Sequence, residues 1–170
     1  MPSNAAPNPG LQCDNLSPVQ VGTVFPLVRE AVPGLTLPTW LRFARRATAP
    51  RRAGQSGIIV VRRAPRPMPC GLFIWHRDDD LSHGAVLVAE HLVAIDLLDP
   101  EPVMAALVRE LEALARRLDC GGIRTMVIRP DAPIAASLLA AGHAEAGAAL
   151  WKPVGGAPDA PATHRPRKPR

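Results

Sequence analysis

The sequence predicts an α/β or α+β domain with a mixed, mainly antiparallel central sheet flanked by helices. Two observations carry this. Apolar stretches of strand length, rich in β-branched residues, alternate with segments whose apolar residues recur at helical spacing. Three of the strand-like stretches, "GIIVVRR" (57–63), "CGLFIWHR" (70–77) and "GAVLVAEHLVAIDLL" (84–98), follow one another with only turns between them, as an antiparallel meander requires. A chain of 170 residues that is 47% apolar has ample material for one core.

The elements are expected as follows. Ser17-Pro18-Val19-Gln20 offers an N-cap, a proline at the first helical position and a glutamine placed to complete a capping box, so a helix is expected to start at Ser17. Val21, Val24, Phe25 and Val28 continue it, Pro26 kinks or shortens it, and Pro33-Gly34 ends it. "TLPTWLRFARR" reads as a second, short helix. After the meander, Met104, Leu107, Val108, Leu111, Leu114, Ala115 and Leu118 form one apolar stripe, with Arg109, Glu110, Glu112, Arg116 and Arg117 facing out. Cys120-Gly121-Gly122 should cap that helix, one of the glycines taking the left-handed conformation. "IRTMVIR" is a further strand, "DAPIAASLLAAG" a helix ending at Gly142, and "AGAALWKPV" a final strand.

The ends differ from the middle. Twenty prolines crowd the termini and one internal loop. Residues 1–16 and 155–170 lack apolar periodicity and are expected to be disordered, leaving a folded domain over 17–154. The tail carries Arg165, Arg167, Lys168 and Arg170 against one acid, Asp159, and so holds much of the formal charge of +5. Three cysteines without a CxxC pair suggest neither a disulfide framework nor a zinc cluster, and fit a reducing cytoplasm. The start has no signal-peptide pattern, and the most apolar run is broken by Glu90 and His91, so no membrane association is expected.

Taken in order, "VFPLVREAVPGLTLPTWLRFAR", "HLVAIDLL", "VMAALVRELEALARRLDCGGIRTMVI" and "APIAASLLAAGHAEAGAALWKPV" resemble the opening helices, central strand, central helix with its following strand, and closing helix and strand of the GNAT superfamily of acyl-CoA-dependent N-acyltransferases. The resemblance implies a GNAT-like fold, transfer of an acetyl or other acyl group from acyl-CoA to an amine, and a splayed pair of central strands as the acyl-CoA slot. It puts cofactor contacts on Ile95, Leu97, Val103 and Met104. The family's diphosphate loop, Gln/Arg-x-x-Gly-x-Gly/Ala, falls on Asp99, Pro100, Glu101, Pro102, Val103 and Met104, and its frequent thiolate-protonating tyrosine falls on Leu138. This chain contains no tyrosine.

The loop departs from the pattern in a way that chemistry can weigh. Helix starts attract phosphate through free amides and a macrodipole of about half a positive charge. Pro100 and Pro102 lack the amide hydrogen, and Asp99 and Glu101 add negative charge. At about 4–6 Å in a surface-like dielectric, each acid repels a phosphate charge by about 3–4 kcal/mol before screening. The same residues also make an ordinary helix start, with Asp99 as N-cap, Pro100 at N1 and Glu101 near the positive end. Two function classes follow: an N-acyltransferase with a degenerate cofactor loop and non-canonical or impaired coenzyme binding, or a catalytically inactive GNAT-fold binding or regulatory module.

Acyl transfer to an amine needs a base, and Glu90 and His91 on the long central strand are the candidate catalytic pair. Period-two alternation sends one inward and one outward, without saying which. "HRDDDLSH" holds His76, Asp78, Asp79, Asp80 and His83, but reads as a solvated hairpin turn, and no metal is expected. Arg42, Arg45, Arg46, Arg51, Arg52, Arg62, Arg63 and Arg66 lie in a stretch without acids, which suits either a solvated surface or an acidic or phosphorylated partner. With the basic tail they also give weak, sequence-independent attraction to nucleic acid. No recognition motif accompanies them, so nucleic acid is not the expected partner.

Overall fold

A computed structural model describes residues 10–66, 68–96, 99–127 and 133–147. Among the described residues, five strands form one sheet in chain order: β1 (Leu11–Asn15), β2 (Ser56–Arg63), β3 (Pro69–Asp80), β4 (Gly84–Ala94) and β5 (Gly122–Thr125). The first three junctions are antiparallel and β4 pairs with β5 in parallel. The expected mixed, mainly antiparallel sheet and its central meander are therefore present. Among the described residues, no helix is long and apolar enough to cross a membrane.

Alternation along the strands divides the core into two layers. Ile59, Val61, Phe73, Trp75, Leu87 and Ala89 face helix α3 (Glu101–Arg117), with Leu138 of α4 (Pro133–Ala140) joining them. Ile58, Val60, Leu72, Ile74 and Val93 face helices α1 (Phe25–Ala31) and α2 (Leu37–Ala47). On α2, Trp40, Ala44 and Ala47 are buried at i, i+4 and i+7. The Trp40 indole N–H donates to the Val21 carbonyl at 2.7 Å, tying the chain before α1 to α2.

Three local expectations are corrected. Residues 11–15, expected in the disordered N-terminal segment, form β1: Leu11 and Cys13 pack on the α3 layer, and the ladder to β2 satisfies the backbone around the polar residues between them. Ser17 starts only a short 3₁₀ turn, makes no side-chain cap, and α1 begins at Phe25, where Pro26 falls in the first turn and its missing amide hydrogen costs nothing. Gln20 instead accepts a hydrogen bond from Arg62 at 3.2 Å. Past α3 the left-handed residue is Asp119 (φ 52°), one of the few types that tolerate it, and neither Gly121 nor Gly122 has positive φ. Most of the expected final strand and the whole basic tail lie outside the described residues.

One glycine sets how α3 meets the sheet. A Cβ on Gly71 of β3 would lie 2.7 Å from Val103 Cγ1, 3.3 Å from Leu107 Cδ1 and 3.2 Å from the Val93 carbonyl oxygen. The missing side chain lets the first turn of α3 sit directly on the strands. The Gly71→Ala variant should lose about 1–3 kcal/mol, because the Val93 oxygen belongs to the sheet and cannot yield. A shifted urea midpoint with unchanged slope is the readout.

Candidate functional site

The register between β3 and β4 slips by one residue in the middle of the pair. Leu72 opposes Val93 and Ile74 opposes Glu90, so Phe73 faces both His91 and Leu92. The extra residue is a β-bulge, and His91 takes a left-handed backbone, φ 51°, to accommodate it. The parallel ladder between β4 and β5 runs from Val86↔Gly122 to Ala89↔Thr125, and Met126 N–H donates to the Ala89 carbonyl at 3.1 Å. β5 then ends while β4 continues to Ala94. The two strands thus part company beside Glu90 and His91.

Opposed residues share a face, so Glu90, across from Ile74, lies on the side covered by α1 and α2. It is half-buried, and its carboxylate has no hydrogen-bond or ion-pair partner among the described residues. His91 is also half-buried, with Nδ1 fully shielded and without a partner. The alternation left open by the sequence is resolved for Glu90, while the bulge removes simple alternation at His91. Nothing in the sequence marks a bulge here, since the left-handed position carries no glycine.

At the start of α3 the donors can be counted. Pro100 and Pro102 have no amide hydrogen. The Glu101 N–H donates to the Asp99 carboxylate at 3.0 Å, and the Met104 N–H to the Pro100 carbonyl at 3.0 Å. Val103 is 0% exposed. The first turn therefore presents no free, accessible amide, and the two nearest acids are Asp99 and Glu101. Asp99 performs the capping role expected of it, although the helix boundary falls one residue later than expected.

The residues expected to touch a cofactor are placed unequally. Val103 and Met104 (6% exposed) belong to the buried core, because Gly71 draws this turn onto the sheet. Their side chains are nearly inaccessible from the surface. Ile95 is 40% exposed and its amide donates to the Cys70 carbonyl at 2.7 Å. Leu97 lies outside the described residues. Leu138, where the resemblance puts a tyrosine, is 2% exposed and packs in the α3 layer.

Neither of two cavities in the surface includes Glu90 or His91. One, of about 320 Å³, is lined by Gln55, Arg77, Asp78 and Asp79 toward the β3–β4 turn. The other, of about 140 Å³, is lined by residues that include Arg63, Arg66, Cys70, Ile95 and Asp96, with Arg63 bound to Asp96 at 2.8 Å. At the turn, the Asp80 carboxylate accepts from the Ser82 and His83 amides at 2.9 and 3.1 Å and from Arg124. Hydrogen bonds from the His83 ring and these amides hold its carboxyl below the usual range. This acid fastens the hairpin, and no group of three His, Cys, Asp or Glu residues among the described ones is arranged to hold a metal.

Burial raises all three thiols, Cys13 from 9.0 to about 11, with nearby Glu110 adding to the effect. None is activated as a nucleophile. Because the folded value of Cys13 lies above the unfolded one, its contribution to stability is fully present below about pH 9 and lost as pH rises through about 11. Native-state alkylation of Cys13 should accordingly be slow at neutral pH and accelerate only across that interval, as mass spectrometry of iodoacetamide-treated protein can follow.

No family model and no curated protein matches the sequence. Solved structures do match. An aminoglycoside N-acetyltransferase, AAC(6')-Iy in complex with CoA, superposes with a TM-score of 0.72 at 10% identity, covering 85% of this chain and 95% of that one. Glucosamine-6-phosphate N-acetyltransferase from Arabidopsis thaliana gives 0.67 at 11% identity, covering 84% and 97%. A transcriptional regulator from Bacillus halodurans C-125 gives 0.71 at 13% identity, covering 85% and 99%. The chain has the fold of these proteins, the GNAT fold that its sequence resembles.

Proposed function

We propose that this chain is an acyl-CoA-dependent N-acyltransferase acting on an amine, with Glu90 as its base and with the coenzyme diphosphate held away from the first turn of α3. The observation that carries the reading is the parting of β4 from β5 beside Glu90 and His91. Its other support is the fold shared with named N-acetyltransferases, one of them in complex with CoA.

An amine acceptor reaches neutral water as an ammonium ion and must lose a proton before it can attack a carbonyl carbon. A half-buried carboxylate with no partner is suited to take that proton, directly or through one water, and Glu90 is such a group. His91 is its neighbour at the bulge, and its half-buried ring is the second candidate group. Acyl-CoA, when bound, supplies the acyl group as a thioester. Ile95, just past the end of β4, and Leu97, by the resemblance of the sequence, are the positions left for contact with it. The first turn of α3 does not fit a diphosphate, having no free amide and two acids.

That same turn, together with Leu138 in place of a tyrosine, favours a second reading: a catalytically inactive binding or regulatory module. Glu90→Gln separates the two. In the enzyme it lowers thiol release from acetyl-CoA, measured across a panel of primary amines, by about 10²–10⁴-fold without changing coenzyme affinity. Unchanged turnover removes Glu90 from the reaction, and absence of amine-dependent release in the unmodified protein supports the inactive module.

Calorimetry tests the coenzyme. Acetyl-CoA and desulfo-CoA are expected to bind with a dissociation constant above about 10 µM. Replacing Asp99 by Arg and both Pro100 and Pro102 by Gly should tighten this by about tenfold or more, since donors and a favourable charge are restored. Unaltered affinity would show that the turn is not the obstacle.

A further inference from the structure

Ion pairs on this surface are distributed unevenly. On α3, Arg116 meets Glu112 at 3.8 Å and Arg117 meets Glu110 at 2.6 Å. Of the arginines in the acid-free stretch, Arg62 is held by Asp14 at 3.4 Å and Arg63 by Asp96. The treatment of Arg42, Arg45, Arg46, Arg51 and Arg52 is different. All five are exposed, on α2 and the 3₁₀ turn that follows it, none has an ion-pair partner among the described residues, and no acid occurs between Glu30 and Asp78.

Helix electrostatics account for part of this. Arg45 and Arg46 lie in the last turn of α2, at its negative end, and Arg46 sits 6.0 Å from the Phe43 ring. Arg42, Arg51 and Arg52 have no such role. Five like charges within eleven residues repel one another, and an anionic partner relieves that repulsion.

We propose that this face binds the phosphodiester backbone of a duplex nucleic acid without reading its sequence. The five arginines are exposed along α2 and the turn that follows it, a spread that suits an extended anion. Trp40, Ala44 and Ala47 of α2 point into the core, leaving few apolar anchors for an acidic peptide or a lipid surface. Trp40 is 1% exposed and Phe43 is half-buried with Arg46 at its ring, so little aromatic surface is free to stack on unpaired bases, which disfavours single strands. Guanidinium forks bind phosphate oxygens in pairs, and regularly spaced phosphates match a row of them. The inference departs from the sequence expectation, which does not favour nucleic acid, because backbone binding requires no recognition motif. It does not depend on the acyl-transfer reading, since none of these residues touches Glu90.

The test uses the full chain and fluorescence anisotropy with labelled DNA and RNA duplexes of about 20 base pairs, from about 50 to about 200 mM salt. Expected is a slope of log K against log salt of about −3 to −4.5, from about −0.9 per neutralised phosphate. Reversing Arg42, Arg45 and Arg46 to Glu should weaken binding at least about tenfold and flatten the slope by about three. Should that variant not fold, Arg51→Ser with Arg52→Ser should flatten it by about two. Changing Arg165, Arg167, Lys168 and Arg170 to Ser should leave most of the affinity. Binding of either duplex supports the proposal, and a preference assigns the source. The proposal is overturned by no binding at the lowest salt, by affinity that survives the α2 reversal, by loss in the tail variant alone, or by equal affinity for polyglutamate or phosphatidylserine vesicles.

Discussion

The seat of Val103 on Gly71 is the contact on which the rest of the arrangement depends. Because β3 has no side chain there, the first turn of α3 descends until Val103 is wholly buried, and Leu107 and Leu111 follow onto the same layer. Burying the side chain takes the Val103 amide out of reach as well. A turn meant to hold an anion must leave its amides facing outward. Here packing and anion binding compete for the same backbone, and packing has the larger share.

The bulge at His91 is the complementary element on the other side of the parted strands. It spends one residue of β4 without a partner of its own in β3, after which Val93 and Ala94 regain register with Leu72 and Gly71. Without that extra residue every side chain beyond His91 would change face, and Val93 would leave the α1/α2 layer where it is buried. The left-handed backbone of His91 is tolerated because the pairings on both sides of it fix the strand. Glu90, immediately before the bulge, is thereby held at a strand position that is structurally determined yet chemically unpaired.

How much of this was legible in the sequence depends on whether the deciding interaction was local. The meander and α3 followed from apolar periodicity, and the loss of two donors at Pro100 and Pro102 followed from proline chemistry alone. β1 was missed because Gln12, Asp14 and Asn15 are polar and only Leu11 and Cys13 reach the core, so its order comes from pairing with a strand more than forty residues away. The buried state of Val103 and Met104 was hidden for a similar reason, since Gly71 decides it from another element. The one-residue slip at His91 left no trace because its cause is register with β3. Of the eight arginines, only contacts with Asp14 and Asp96 separate the two that are paired from the six exposed ones, five of which lie on α2 and the turn after it.

The turn before α3 also has an energetic logic independent of any ligand. Asp99 satisfies the amide that would otherwise be open, which in comparable caps is worth about 1 kcal/mol. Each proline, at a position where no hydrogen bond is required of it, restricts the unfolded chain and adds about 0.4–1 kcal/mol. A glycine-rich cradle at the same place would cost about 0.5–1 kcal/mol per glycine relative to alanine in regular structure, and would need a bound anion to offset its exposed amides. The residues that leave this turn without a free amide are therefore the ones that make it a good start for the central helix. If the chain transfers acyl groups, the coenzyme is held by contacts elsewhere, and selection on helix stability at this turn is free to proceed without loss of the base on the opposite face.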